Sequence, residues 1–196
     1  MKVLTESDAQ TLDALLTPLL GLAYGYAYRL LRNSAEAEDL LQEAALAAVR
    51  GFGTFQPGTN FKAWFFQVLT NCFYSRHRRT KREGASTELD DVPELYLYER
   101  TAEIGLHEGS DPARQLMSRL DGDAIAEALG SLPEEYRVVS TLYFMEDFTY
   151  DEIASVLSVP VGTVRSRLHR SRKLLQRRLW PIAVEHGILE AKRTDP

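Results

Sequence analysis

The chain is short of most features that would place it in a common class. It has one cysteine, Cys72, among 196 residues, which excludes an internal disulfide and a cysteine-cluster zinc site and fits a reducing compartment. As a lone thiol, Cys72 reads as a small buried apolar residue. No stretch approaches the roughly 20 apolar residues of a membrane-spanning helix. The opening MKVLTESDAQ carries Asp and Glu where a secretory leader needs a basic start and a long apolar run. These absences predict a cytoplasmic protein without membrane insertion. There is no Gly-rich phosphate loop, nucleophile elbow or metal-ligand spacing, and His77, His107, His169 and His186 are scattered. The expectation is a protein that is not an enzyme and uses no cofactor and no metal. The alternation of a half-buried strand is missing as well, so the expected fold is all α.

What the chain does have is charge sorted into blocks. Its net charge is −5, yet residues 1–60 carry −3, 61–82 carry +6, 83–135 carry −11, 136–160 carry −3, 161–180 carry +7 and 181–196 carry −1. Two basic blocks free of acidic residues, held apart by an acidic spacer, suit two separate contacts with a polyanion. Two solvated helix faces would give the same pattern. At 44% apolar, the chain can bury the core of one large or two small domains.

A helix is predicted from Leu12 to about Leu31. Asn33 and Ser34 are placed to cap the next, AEAEDLLQEAALAAVR, with Gly51 and Gly53 as terminators. After the turn FQPGTN, a third helix reads FKAWFFQVLTNCFYSRHRR. Periodicity then fades from about Lys81 to Asp121 while Gly, Pro and acidic residues accumulate, with YLYER at 96–100 a candidate docking element. A connection of that length favours a boundary between domains. The predicted organisation is two small helical domains joined by a long acidic linker: 1–82, then the linker 83–121, then 122–196. In LGSLPEEYRVVSTLYFME, Ser131 and Glu134 have capping-box spacing and Pro133 suits a first turn; Thr149 and Glu152 repeat the signature. The short break SVP then leads into a basic helix, which completes a helix-turn-helix.

At about 100° per residue, Val161, Val164, Leu168, Leu175 and Leu179 share a stripe that must face the core. The opposite face carries Ser166, Arg170, Lys173 and Arg177, flanked by Arg165 and His169 near the N-terminal end. Arg can make a two-pronged contact to guanine while Lys and Ser hold phosphates, so this face suits a DNA major groove. A solvated face would normally mix in Glu. In the third helix, Phe61, Phe65, Val68, Leu69 and Cys72 form the apolar stripe, and Trp64, Gln67, Asn71, Ser75 and Arg78 line the other side. That row can stack on an unpaired base and hold its backbone, with Arg76, Arg78, Arg79, Lys81 and Arg82 on flanking phosphates. Trp64 packed into a crowded core beside Phe66 and Phe73 is the alternative. On the second helix, Ala37, Leu41, Ala44 and Ala48 are expected to pack. Asp39, Gln42, Glu43, Leu46 and Arg50 form a row that suits a protein partner or plain solvent.

Three segments in order, RLLRNSAEAEDLLQEA, FGTFQPGTNFKAWFFQVLTNCFYSRHRR and LGSLPEEYRVVSTLYFMEDFTYDEIASVLSVPVGTVRSRLHRSRKLL, resemble a bacterial RNA polymerase sigma factor of the extracytoplasmic-function type. The resemblance runs from about Leu15 to Leu179. It implies a transcription initiation factor that binds core RNA polymerase and promoter DNA, the upstream element as duplex and the downstream element melted to single strands. By that resemblance Asp39, Leu40, Gln42, Glu43 and Leu46 would meet the polymerase. Phe61, Lys62, Trp64, Gln67, Asn71, Ser75, Arg76, Arg78 and Arg79 would serve the downstream element, with Trp64 at the edge of the melted region and Asn71 near a flipped-base pocket. Thr163, Arg165, Ser166, Arg167, His169, Arg170, Lys173 and Arg177 would serve the upstream element. An anti-sigma factor is the further implied partner. GTNFKAWFFQVLTN and the acidic linker look most like the group that answers thiol-oxidative stress through a zinc-binding anti-sigma factor. A duplex-binding repressor would explain the second domain and leave the Trp64 row and DLLQE without a purpose.

Overall fold

Thr5 starts the first helix: its hydroxyl accepts from the Asp8 N–H while the Asp8 carboxylate accepts from the Thr5 N–H. The computed structural model describes residues 5–81 and 122–185, without the side chains of 79–81, 176 and 180–185. All regular structure among the described residues is helical. The helix expected over 12–31 is two helices, α1 Glu6–Leu16 and α2 Leu20–Leu31, split by a tight 3-10 turn Thr17–Leu19. Pro18 lacks the N–H that a continuous helix would use, which accounts for the break. Arg32 closes α2 in the left-handed region at φ 55, and Asn33 caps α3 Ser34–Gly51 by accepting from the Glu36 N–H. Gly51 and Gly53 do not stop the chain in a left-handed turn. Gly51 sits at φ −94 and leads into a second 3-10 turn, Phe52–Thr54. Gly58, at φ 87, makes the turn before α4 Phe61–Lys81.

The second module has α5 Gly122–Gly130, α6 Glu134–Phe144, α7 Tyr150–Leu157 and α8 Val161–Glu185. The capping box expected of Ser131 and Glu134 does not form. Ser131 Oγ donates to the Ala128 carbonyl, Pro133 takes the cap position, and the Glu134 carboxylate turns to His77 at 3.0 Å. The box of Thr149 and Glu152 does form, with both reciprocal bonds in place. The two Thr149 bonds depress the Glu152 carboxyl below its ordinary range. Thr149→Ala is expected to cost about 1 kcal/mol of stability, the usual value of a lost N-cap, measurable as a lower urea midpoint with an unchanged slope. Ser158 closes α7 in the left-handed region at φ 53, giving the tight turn into α8.

One continuous apolar cluster runs through both modules. Tyr26, Leu30, Leu40, Phe65, Phe66 and Phe73 from the first meet Val138, Val139, Leu142, Phe148 and Ile153 from the second. The Phe66 and Phe148 rings lie 5.2 Å apart at a steep angle, and Arg137 donates to the Leu30 carbonyl at 2.7 Å. At Gly130 a Cβ would come within 2.5 Å of the Arg32 side chain, so a larger residue there requires that exposed, flexible side chain to move aside. A second cluster, including Leu129, Leu132, Tyr136, Leu175 and Leu179, ties α5 to α6 and α8. The predicted linker 83–121, with YLYER, lies outside the described residues.

Candidate nucleic-acid interface

The buried stripe of α8 fixes which of its residues face outward. Val164, Leu168, Leu175 and Leu179 are buried and Val161 is half-buried, which turns Arg165, Ser166, His169, Arg170 and Arg177 to solvent. Thr163 and Lys173 are half-buried beside them. Ser166 Oγ donates back to the Thr163 carbonyl, and Arg170 reaches the Tyr136 hydroxyl at 3.5 Å. The exposed face therefore presents guanidiniums, an imidazole and a hydroxyl on a rigid helix seated in a tight turn. Arg167 departs from this set. Its guanidinium points at Glu135, 3.7 Å away, so it is held within the second module and does not stand on the exposed basic face. Arg172, which the sequence reading left unassigned, braces the motif from within: it donates to the Tyr150 hydroxyl at 3.0 Å and lies 5.2 Å from the Tyr143 ring.

On α4 the expected row is divided. Phe61 is buried, with its ring against Phe52, Phe55 and Trp64, and so belongs to the core. Trp64 is half-buried and packs on Phe52, Phe55 and Phe61, a different aromatic group from the Phe66 and Phe73 considered from sequence. One side of its indole lines a cleft of about 350 Å³ between α4 and α7. Lys62 donates to the Glu146 carbonyl at 2.6 Å and sits 4.6 Å from the Phe148 ring centre. Gln67 donates to the Ser155 carbonyl and the Ser158 hydroxyl, each at 3.1 Å. Asn71, Ser75 and Arg78 remain exposed, with Ser75 and Arg78 each donating to a carbonyl one turn back. Arg76 pairs with Glu43 of α3. The Arg79 side chain lies outside the described residues. Cys72 is half-buried, and burial pushes its thiol up, away from the reactive range.

On α3, Asp39, Gln42, Leu46 and Arg50 are exposed and Glu43 is half-buried. Leu46 is 56% exposed and is joined by Val49, also exposed, which the sequence reading did not single out. Leu40 is fully buried in the core, so it is unavailable to a partner. Leu41, expected to pack, is half-buried and lies against the same core. The outward row thus combines two large apolar side chains with a carboxylate, an amide and a cation, the makeup of a protein-binding surface.

A helix-turn-helix with its basic face outward, packed on a helical module that carries aromatic, amide and cationic groups on one long helix, defines a two-module nucleic-acid reader. Comparison with family models gives the same division: Sigma-70 region 2 matches residues 15–83 and Sigma-70 region 4 matches residues 122–175. SigW of Bacillus subtilis (strain 168), an ECF RNA polymerase sigma factor, is 31% identical over 80% of this chain and 82% of its own. SigE of Mycolicibacterium smegmatis is 37% identical over 78% of this chain, which spans only 55% of that relative's length. The chain belongs to the ECF RNA polymerase sigma factors. Members of this family are initiation factors, not enzymes; they bind core RNA polymerase and promoter DNA. Among solved structures, RpoE of Bartonella quintana in complex with the anti-sigma factor NepR superposes with a TM-score of 0.62 at 27% identity, covering 84% of this chain and 94% of that one. CnrH in complex with the cytosolic domain of CnrY shares the fold, with a TM-score of 0.57 at 23% identity, over 88% of this chain and 90% of that one. No helix among the described residues is long and apolar enough to cross a membrane.

Proposed function

We propose that this sigma factor reads the upstream promoter element as duplex through Thr163, Arg165, Ser166, His169, Arg170, Lys173 and Arg177. In this reading it captures the melted downstream element with Lys62, Trp64, Gln67, Asn71, Ser75, Arg76, Arg78 and Arg79. It docks on core polymerase through Asp39, Gln42, Glu43 and Leu46, now with Val49 beside them. The observation that carries the reading is the outward basic face of α8, whose position is set by a buried stripe of Val164, Leu168, Leu175 and Leu179 with only Ser171 polar among them. Melting and recognition are coupled, because an unstacked base costs a few kcal/mol and each stacking contact returns about 1–3 kcal/mol. Only a strand whose bases fit offsets the cost of opening.

The protein works in the cytoplasm in this account and is held in check by an anti-sigma factor, for which the zinc-binding, redox-responsive kind is the specific candidate. Redox sensing then resides in the partner, since the Cys72 thiol is pushed up by burial. The linker 83–121 would imitate nucleic acid in a basic channel of the polymerase.

Permanganate footprinting on the promoter of its own gene, with each component omitted in turn, tests the whole reading. Thymine reactivity that needs both this chain and core polymerase is the expected result; tight duplex binding by the chain alone would make it a repressor. Arg165→Ala is expected to reduce discrimination at one position of the upstream element by about 1–3 kcal/mol. Equal weakening on every promoter would reassign Arg165 to a phosphate.

A further inference from the structure

Arg172 lies on the same line of α8 as Arg165. At about 100° per residue the two are about 20° apart around the axis, so helical position alone would treat them alike. The structure separates them: Arg165 is exposed and Arg172 is half-buried. Arg172 Nη2 donates to the Tyr150 hydroxyl at 3.0 Å, and its Cζ sits 5.2 Å from the centre of the Tyr143 ring and 5.9 Å from that of Phe144. Tyr143 and Phe144 end α6, and Tyr150 begins α7. The two tyrosine rings are 5.3 Å apart. The turn between them is tied down: the Phe148 N–H donates to the Leu142 carbonyl at 3.1 Å, and the capping box of Thr149 and Glu152 fixes the first turn of α7. A guanidinium from α8 thus closes a triangle with the end of one helix and the start of the next.

We propose that Arg172 is a positioning residue for the upstream element: it sets the tilt of α8 against α6 and α7, and through that tilt the place where Arg165 and His169 meet the duplex. This rests on the duplex reading of α8 given above and adds a determinant of its specificity. The buried stripe of Val164, Leu168, Leu175 and Leu179 holds α8 down, but burial is non-directional and does not by itself fix an angle. A hydrogen bond and a cation over a ring are directional. Arg165 stands seven residues before Arg172, about 10.5 Å along the axis. A tilt of about 10° pivoting at Arg172 therefore carries Arg165 by roughly 2 Å. That shift breaks a two-pronged base contact, whose hydrogen bonds tolerate only a few tenths of an ångström. A phosphate contact from a flexible side chain survives it. Loss of Arg172 is thus read as lost discrimination with the electrostatic part of binding retained.

The test uses the full chain assembled with core polymerase and two duplexes that end before the downstream element. One carries the upstream element from the promoter of its own gene, and the other carries that element scrambled. Both duplexes meet the same folded fraction, so a loss of stability alone leaves the ratio of the two affinities unmoved. R172M keeps an unbranched apolar side chain and removes the charge and the donors. It is expected to lower the ratio about tenfold, with the slope of log affinity against log salt unchanged. Y150F deletes only the acceptor hydroxyl and is expected to lower the ratio about threefold. R172M/Y150F is expected to match R172M, because the two residues act through one contact. A salt slope shallower by about one in R172M, with equal loss on both duplexes, would make Arg172 a phosphate contact and overturn the proposal. An unchanged ratio in R172M and Y150F, while Arg165→Ala loses discrimination, would also overturn it and leave the duplex reading standing. An unchanged ratio in all three would sink that reading and the proposal together. If R172M does not fold, Y150F decides the case, and an unchanged ratio there overturns the positioning role.

Discussion

Leu40→Ala is expected to destabilise the chain by about 3 kcal/mol or more, within the range of roughly 2–5 kcal/mol for a fully buried leucine, while leaving the chemistry of the exposed α3 face unchanged. Leu40 has no exposed surface, and its neighbours on the buried stripe are Ala37, Ala44 and Ala48. Those alanines bring α3 close to α2 and α4, so the helices have little side chain left to relax into the space that leucine would vacate. The cost therefore belongs to the upper part of the range. Leu46→Ala, six residues on, is the control with the opposite profile. At 56% exposure its truncation should move stability by no more than about 0.5 kcal/mol, and it should weaken association with core polymerase about tenfold. Urea unfolding and co-elution with core polymerase read the two effects separately. A stable Leu40→Ala chain that has lost polymerase binding would put Leu40 back on the interface.

That contrast also marks where sequence reasoning runs short. Helical periodicity sorted the first half of α8 correctly, because from Val161 to Lys173 its large apolar residues occupy one narrow stripe and the rest are charged or small. On α3 the pattern is nearly symmetrical: Leu40 and Leu41 both lie beside the alanine stripe and both pack on the core, and only the helix packed against it decides that Leu40 is fully covered and Leu41 half-covered. Arg167 shows the same limit for charge. It sits in a run of cations with nothing local to distinguish it, and Glu135, far away in sequence, draws it off the basic face. The cap of Thr149 and Glu152 was legible because both its bonds are local, whereas Glu134 left its expected cap for His77 of the first module. The aromatic and amide row on α4 was legible as chemistry. Its cover was not, since the Asn60–Glu152 bond spans 92 residues and leaves no mark in either segment.

Glu146 carries the second large effect. It is 2% exposed and accepts from Arg29 Nη1 at 3.1 Å through one oxygen, while Oε2 has no hydrogen-bond partner among the described residues. Burial raises its carboxyl above the ordinary range and outweighs Arg29 and Lys62, which pull it down; Asp147 pushes the same way as burial. Arg29 and Lys62 belong to the first module and Glu146 to the second, so the group sits on the contact that closes them. Removing the carboxylate with Glu146→Ala takes away the partner of Arg29 and opens a cavity, an expected loss of about 3 kcal/mol. Glu146→Gln keeps the shape and is expected to be neutral or stabilising at pH 7, because the charge it deletes is one the folded state disfavours. The sign of the pH dependence follows from the raised value. A carboxyl with a folded pKa above its unfolded one makes its full contribution below the unfolded pKa, about 4.3, and loses it as pH rises through the folded pKa. The stability of Glu146→Gln minus that of the parent should therefore grow as pH rises across that window and level off above it. Parallel pH profiles for the two chains would mean that the Glu146 carboxylate is solvated, which requires the modules to be apart at that point. A rising difference would mean that they are together in solution and that closure takes up a proton.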